Sequence, residues 1–273
     1  MKSTGHYFPP ARQNVYYGRE LEPTLNEVAQ SGNAQNLLFI TNSSLANGEL
    51  ANSILDALNK FNVYQVTGLK AHSPRSDVTR VCNAIKKYAI DLVIAFGGGS
   101  VCDTTKVACL AYTNRLDENN FGLLSSPEKL TIPPIPFVAI PTTLSAGEFT
   151  SFAGITDEQI PRKEVFWHPE IAPDSVILDP LMTSKTPDGL FYSTGIRAVD
   201  HAIETWCSIN VTPPAEALSL HALRLLARAL PASKKENSLE SRLDCQIGSW
   251  LSVQGVSTGV DLGASHGIGH VLG

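Results

Sequence analysis

The stretch that most constrains the fold is Leu92–Lys106, an apolar run that ends in three glycines and passes at once into a helical pattern. This order predicts a buried strand, a tight turn and the N-terminus of a helix. Glycines let the backbone of such a turn approach a bulky ligand closely, and a helix N-terminus attracts phosphate. We expect the pyrophosphate of a nucleotide at Gly97-Gly98-Gly99, although a close crossing of helix and strand would also require glycine there.

Composition limits the kinds of protein that this chain can be. Its 273 residues are 43% hydrophobic and 17% charged, which is enough for a full core and predicts two domains. A net charge of -5 without any basic run argues against nucleic acid or an anionic membrane as the main partner. We therefore expect a small-molecule ligand.

The cysteines and the first residues bear on location. The five cysteines are scattered and form no C-x-x-C pair, which favours a reducing compartment over a disulfide framework or a thiolate metal site. Residues 1–10 lack an apolar signal segment, and no later stretch approaches the length of a membrane span. We expect a cytosolic protein.

Strands and helices alternate through the first part of the chain. Short apolar runs typical of buried strands occur at residues 36–41, 63–67, 92–96 and 136–141. Apolar residues at helical spacing separate them, which predicts an α/β fold with a parallel sheet. The last run ends in a second turn of small residues, Thr142–Gly147. Ligands of open α/β sheets lie at the carboxyl ends of strands, where both turns fall.

The character of the sequence changes after Asp179-Pro180. Only helical periodicity follows, with helices expected at residues 195–209, 215–230 and 239–256. We therefore expect a dinucleotide-binding α/β domain over residues 1–180 and an all-helical domain over residues 181–273. The sequence stops in mid-pattern after Val271-Leu272-Gly273, from which we expect either a homo-oligomer, such as a dimer, or an incomplete domain.

Several separated motifs carry a resemblance to a known family. They are Gly97-Gly98-Gly99-Ser100 with Asp103 and Lys106, Pro141-Thr142-Thr143, Ile155-Thr156-Asp157 with Lys163, His201-Ala202-Ile203-Glu204, and His266-Gly267 with His270. In order and spacing they resemble the iron-containing alcohol dehydrogenase family, and within it most of all the maleylacetate reductase branch. The resemblance implies a dinucleotide-binding α/β domain, a helical domain that in the family continues beyond this chain's last residue, and a cleft between them for NAD(P) and substrate.

The same resemblance implies which residues hold the cofactor. They are Ser73, Gly98, Gly99, Ser100, Asp103, Thr142, Thr143, Ser145 and Lys163. The two glycines and Ser100 would wrap the pyrophosphate, and Asp103 would bond near the nicotinamide ribose. Lys163 would contribute a charge.

One departure from the family concerns the adenosine ribose. Where the family has an acidic residue at the end of the first strand of the motif, this chain has Asn42. A carboxylate there would repel a 2′-phosphate, whereas an amide does not. We therefore expect weak discrimination between NAD and NADP, or a preference for NADP.

A second departure concerns the metal. Members that use iron or zinc supply an aspartate and a histidine one helical turn apart, with two further histidines. His201 and His266 match two of these ligands, but Arg197 occupies the acidic position and cannot ligate a cation. Asp200 points about 100° away from His201 around the helix. We expect a site without a tightly held metal, with Arg197 as a fixed cation and His201 or His270 as proton donor.

The resemblance implies an NAD(P)H-dependent oxidoreductase that transfers hydride to or from a small carbonyl, enone or alcohol, anionic and maleylacetate-like in type. Two alternatives stay open. One is a lyase or cyclase resembling dehydroquinate synthase, whose fuller set of metal ligands and basic residues is not evident here. The other is a non-catalytic nucleotide-binding relic. Steady nicotinamide absorbance during turnover would indicate the former, and cofactor binding without turnover the latter.

Overall fold

A computed structural model describes Tyr7 and residues 12–117, 120–160, 162–236 and 238–272, with side chains as far as Ile268. The strands are β1 (Asn14–Tyr17), β2 (Asn36–Asn42), β3 (Asn62–Leu69), β4 (Leu92–Gly97), β5 (Phe137–Pro141), β6 (Phe152–Asp157), β7 (Arg162–Trp167) and β8 (Ser175–Leu178). The helices are α1 (Leu21–Ser31), α2 (Glu49–Ala57), α3 (Arg75–Tyr88), α4 (Gly99–Thr113), α5 (Asp188–Cys207), α6 (Pro213–Glu236), α7 (Leu239–Ser252), α8 (Gln254–Ser257) and α9 (Ala264–Leu272).

Six strands form one sheet in the order β1-β8-β5-β4-β2-β3, and its five pairings are all parallel. The central strands β4 and β5 are buried along their whole length, as their unbroken apolar sequences require. The fold class expected from the sequence, a parallel-sheet part followed by a helical part, is confirmed.

The sheet changes winding direction between β2 and β4. The chain leaves β2 toward β3 on one side, and it leaves β4 toward β5 on the other. Asn42 and Gly97, which end these two adjacent strands, therefore flank the crevice where ligands of doubly wound sheets bind.

Two parts of the sheet half were not expected. β1 pairs with β8 at one edge, and β6 and β7 form a separate antiparallel hairpin. β7 begins with Arg162, Lys163 and Glu164, and the last two are of residue types depleted in strands, which conceals its extended conformation from pattern analysis.

The first helix of the helical half begins earlier than expected, because α5 starts at Asp188 and not at Gly195. Its start signal is Asp188, an acidic residue in the first turn directly after Pro187. The third expected helix divides at Val253 into α7 and α8. Among the helices of the described part of the chain, none combines the length and the apolar character that crossing a bilayer requires.

A short connection joins the two halves. The Asp179 carboxylate accepts a bond from Leu181 N at 2.9 Å and so caps the 3₁₀ turn at Pro180–Thr183. We propose this turn as the boundary between domains of residues 1–180 and 181–273.

Candidate active site

The glycine turn lies between β4 and α4. A Cβ built on Gly97 would lie 2.6 Å from Val101 Cγ2, so the turn cannot accommodate a side chain there. α4 begins directly after Gly98, which offers no side-chain cap. The backbone N–H groups of this first turn and the helix dipole therefore favour an anion.

The second turn lies against the first. A Cβ on Gly98 would lie 2.9 Å from Thr143 Cγ2, and a Cβ on Gly99 would lie 3.2 Å from Ser145 Oγ. Thr142 N donates to Gly97 O at 3.0 Å, which joins the two turns through the backbone. The structure thus brings together five residues that the sequence predicted to line one cofactor site.

Ser73 supports the start of α4 from a third segment. Its hydroxyl donates to Ser100 O at 2.9 Å, while His72 N donates to Ser100 Oγ at 3.0 Å. Ser73 is buried. His72 and Ser73 both have left-handed backbone conformations, which residues other than glycine rarely adopt. Ser73 therefore uses its hydroxyl to hold the α4 backbone, and its expected contact with the cofactor stays a prediction.

Asp103 is half-buried on α4, against the β6–β7 hairpin. Its Oδ2 accepts a bond from Gly154 N at 3.1 Å. Burial raises the pKa of Asp103, and the positive charges of Lys106 and Lys163 oppose that rise. A Cβ at Gly154 would collide with Lys163 Cε, so the lysine side chain lies across this glycine on the side of Asp103. The sequence-predicted pair is thus adjacent.

Lys106, another residue of the glycine motif, has a structural role. It is buried, and its Nζ donates to the carbonyl oxygens of Gly147, Thr150 and Phe152 at 2.6–2.7 Å. These bonds compensate the buried ammonium and hold the segment that connects the second turn to β6.

Asn42 ends β2 in an Asx-type turn. Its Oδ1 accepts bonds from Ser44 Oγ at 3.0 Å and from Leu45 N at 3.1 Å. Since the carbonyl end of the amide is engaged, its NH₂ group is the end that can donate to a ligand in the crevice.

The helical half contributes a cluster of cationic and aromatic groups. Arg197 and His201 lie one turn apart on α5, and His201 is 5% exposed. Arg197 Nη2 lies 3.4 Å from His266 Nε2, and the rings of His201 and His266 have centroids 5.1 Å apart. The three residues predicted from the α5 and α9 motifs are therefore in mutual proximity.

His266 has an asymmetric environment. Its Nδ1 lies 3.7 Å from Asp200 Oδ2, and its Nε2 faces Arg197. Burial, with the charge of Arg197, lowers the pKa of His266 against the opposing effect of Asp200 and Glu204. The neutral ring is thus favoured, with Nε2 as acceptor of the guanidinium proton and Nδ1–H toward Asp200.

Asp200 and Glu204 were not predicted as site residues. Asp200 accepts a bond from Ser265 Oγ at 2.6 Å, beside His266. Glu204 accepts bonds from the backbone N–H groups of Gly263, Ser265 and His266, and so caps the start of α9. Their spacing of one helical turn on α5 was the signal available in the sequence.

The described residues contain one group of three side chains that could together hold a metal ion, namely Asp200, Glu204 and His266. One potential ligand atom from each lies within 4.8 Å of the other two. The carboxylate oxygens of this group already accept the bonds that hold α9, and a guanidinium lies beside the histidine. The side chain of His270 lies outside the described part of the structure, and the predicted proton-donor role stays untested.

One cleft of about 440 Å³ connects these groups. Its lining includes Asp103, Ser145 and Lys163 from the sheet half and Arg197, His201 and His266 from the helical half. Arg75, at the start of α3, forms salt bridges with two carboxylates of the β6–β7 hairpin. Its Nη1 lies 2.8 Å from Asp157 Oδ2, and its Nη2 lies 2.5 Å from Glu164 Oε2. The hairpin, which lines one side of the cleft, is thereby fixed to α3.

Comparison with known proteins identifies relatives over the whole chain. The family "Iron-containing alcohol dehydrogenase" matches residues 12–180, and "Fe-containing alcohol dehydrogenase family, C-terminal" matches residues 191–273. The probable alcohol dehydrogenase EutG of Salmonella typhimurium is 35% identical over 201 residues, which are 72% of this chain and 50% of EutG. The NAD-dependent methanol dehydrogenase of Bacillus methanolicus is 29% identical over 274 residues, 99% of this chain and 70% of that protein.

A solved structure shows the same fold. The maleylacetate reductase of Agrobacterium tumefaciens superposes with a TM-score of 0.83 at 21% identity, covering 100% of this chain and 70% of that one. This chain therefore spans half to about 70% of the length of these relatives. The motifs, the two family matches and the fold agree, and the chain belongs to the iron-containing alcohol dehydrogenase family.

Proposed function

We propose that the protein is an NAD(P)H-dependent oxidoreductase that transfers hydride to or from a small carbonyl, enone or alcohol. The observation that carries this proposal is the cleft lined on one side by Asp103, Ser145 and Lys163, and on the other by Arg197 and the two histidines. A cofactor at the glycine turn would present its reactive end to a substrate held by the cationic wall. Family membership supports the same activity.

The residues of this chain fit a dinucleotide. The glycines leave a cradle that any Cβ would narrow, and it opens onto a helix start without a side-chain cap. Gly98, Gly99 and Ser100 would hold the pyrophosphate, and the hydroxyls of Thr143 and Ser145 border it. The bound nicotinamide supplies the hydride, while the protein orients it and excludes water.

The end of β2 bears on the choice between NAD and NADP. The NH₂ group of Asn42 is a hydrogen-bond donor, and the exposed hydroxyls of Ser43 and Ser44 follow it. None of these groups repels a 2′-phosphate as a carboxylate would. We infer that the protein binds NADP at least as well as NAD.

An anionic substrate of the maleylacetate type suits the opposite wall. Arg197 can bind a carboxylate through two parallel N–H···O bonds or stabilise a developing alkoxide. Its bond to His266 holds the guanidinium in one orientation. His201 or His270 would donate the proton that completes the reduction.

Iron or zinc between His201 and His266 does not fit the residues present. His266 Nε2 accepts a hydrogen bond from Arg197 Nη2, with the two atoms 3.4 Å apart. A divalent cation at contact distance from the same ring would be repelled by the guanidinium by several kcal/mol, even at an effective dielectric constant of about 20. We therefore infer chemistry in which the guanidinium provides the positive charge.

The test is turnover of NADPH and NADH, followed by nicotinamide absorbance, with a panel of oxo acids, enones and neutral aldehydes. The proposal expects stoichiometric loss of reduced cofactor with anionic carbonyl substrates. Substrate conversion at constant absorbance would contradict it and indicate a lyase or cyclase. Binding of cofactor without conversion of any substrate would indicate a nucleotide-binding relic.

The expected homo-oligomer and cytosolic location stay predictions. Measurement of the particle mass in solution, with and without NADPH, tests the former.

A further inference from the structure

The second turn of the candidate cofactor site, Thr142–Gly147, is held in place by residues of the helical half. Leu144, in the middle of this turn, is 1% exposed and lies in the hydrophobic cluster of the helical half. The other buried members of that cluster come from α5, α6 and α7: Phe191, Ala198, Leu226, Ala229, Leu230 and Cys245. A leucine side chain from the sheet half thus anchors the turn in a core built by the helices.

The backbone of the turn is held from the same side. Leu144 N donates to Thr194 Oγ1 at 3.0 Å, and Leu144 O accepts from Ser249 Oγ at 2.8 Å. Thr142 O accepts from Thr186 Oγ1 at 2.7 Å. Three hydroxyls that follow the domain connection therefore satisfy backbone groups of the turn, which are costly to leave unpaired when buried.

Of the three, Thr194 lies on the helix that carries the cationic cluster. Residues 194, 197 and 201 have the i, i+3, i+7 spacing of one helical face. The Thr194 hydroxyl donates to Leu190 O at 2.8 Å within α5, and it accepts from Leu144 N. The helix therefore fixes the orientation of the Thr194 hydroxyl, and the hydroxyl holds the backbone of the turn at Leu144.

We propose that Thr194 is a positioning residue that sets the distance between the cofactor turn and Arg197. This inference rests on the proposed function, in which the turn binds the cofactor and Arg197 binds the substrate. Hydride transfer requires the two reactants in contact at a defined angle, and a displacement of about 1 Å can reduce the rate about 100-fold. Because Thr194 joins the turn to α5, the groups that bind cofactor and substrate keep a fixed distance from each other.

The experiment compares Thr194→Val, which keeps the shape but removes the acceptor, with Thr194→Ser, which keeps the hydroxyl. Ser193→Ala is the matched control, because the neighbouring Ser193 side chain is exposed and its hydroxyl donates to Leu190 O within α5. Ser249→Ala tests the second bond of Leu144 should Thr194→Val fold poorly. NADPH affinity is measured by fluorescence titration, and kcat by absorbance, for each full-length protein well below its unfolding temperature.

We expect Thr194→Val to bind NADPH about tenfold more weakly and to lose about 10- to 100-fold in kcat. Thr194→Ser should recover most of both, and Ser193→Ala should match the original protein. A folded Thr194→Val protein with unchanged affinity and kcat would overturn the inference while leaving the proposed function intact. Absence of NADPH and NADH binding in the unsubstituted protein would instead refute the proposed function.

Discussion

Arg197 Nη2 and His266 Nε2 lie 3.4 Å apart, and the centroid of the His266 ring lies 5.1 Å from that of His201, so the guanidinium and both imidazoles meet in one cluster. Because a guanidinium only donates hydrogen bonds, the ring nitrogen accepts and carries no proton. The lowered pKa of His266, which burial and Arg197 cause, agrees with this arrangement. The pair therefore presents one fixed positive charge to the cleft.

Replacement of Arg197 should affect anionic substrates most. Arg197→Ala should lower kcat/KM for an oxo acid about 100-fold, because both the charge and the two parallel donors are lost. Arg197→Lys should recover only part, since an ammonium cannot reproduce the planar fork. Steady-state kinetics with a neutral aldehyde should show a smaller loss, and Arg224→Ala, an exposed arginine on α6, should show none. Equal losses for charged and neutral substrates would contradict carboxylate binding by Arg197.

Gly98→Val should abolish cofactor binding in a folded protein. The Cβ alone would lie 2.9 Å from Thr143 Cγ2, and the two methyl groups would fill the cradle intended for the pyrophosphate. Gly189→Val is the control, because a Cβ built there meets no described atom within 4 Å other than those of its chain neighbours and its own helix backbone. Fluorescence titration with NADPH checks the result, with circular dichroism as the test of folding. Unchanged affinity would remove the glycine turn from the site.

A third prediction concerns cofactor choice. Asn42→Asp should weaken NADPH binding about tenfold or more and leave NADH binding nearly unchanged, because a carboxylate repels the 2′-phosphate. Asn42→Ala separates the charge from the loss of the amide, which also holds Ser44 and Leu45. Parallel titrations with the two cofactors decide the matter. A strong preference for NADH that persists in Asn42→Ala would show that other residues set the choice.

The sequence predicted the local geometry of the candidate site wherever the pattern along one segment determines it. A buried run followed by Gly97-Gly98-Gly99 specifies a strand, a turn and a helix start, and the i, i+4 spacing places Arg197 beside His201. It could not predict that Asp200 and Glu204 hold the start of α9, because this depends on how α9 packs against α5. The anchoring of Leu144 among the helices is likewise a property of packing between distant segments, which periodicity along one segment does not contain.

Glu148 should make stability depend on pH. Burial raises its pKa from 4.5 to about 7, partly offset by Lys106. Since the folded-state value is the higher, this contribution is fully present below the unfolded pKa and is lost as the pH rises through about 7. Glu148→Gln should therefore flatten the fall in unfolding temperature between about pH 5 and pH 8.

Asp103 contributes with the same sign and is present in both proteins, so the difference between them reports Glu148 together with its charge interaction with Asp103. Glu128→Gln, at an exposed glutamate, should leave the pH dependence as it is. Thermal unfolding across this pH range measures both. If Glu148→Gln keeps the original slope, the carboxyl group does not titrate in this window.

The central claim is that the guanidinium of Arg197 takes the place of a catalytic metal. It is tested most directly by measuring the metal content and the turnover of a single preparation before and after prolonged chelation. We predict iron and zinc far below one ion per chain, with turnover unchanged by the chelator. Iron or zinc at full occupancy, with activity lost on chelation and restored by the metal, would contradict the account.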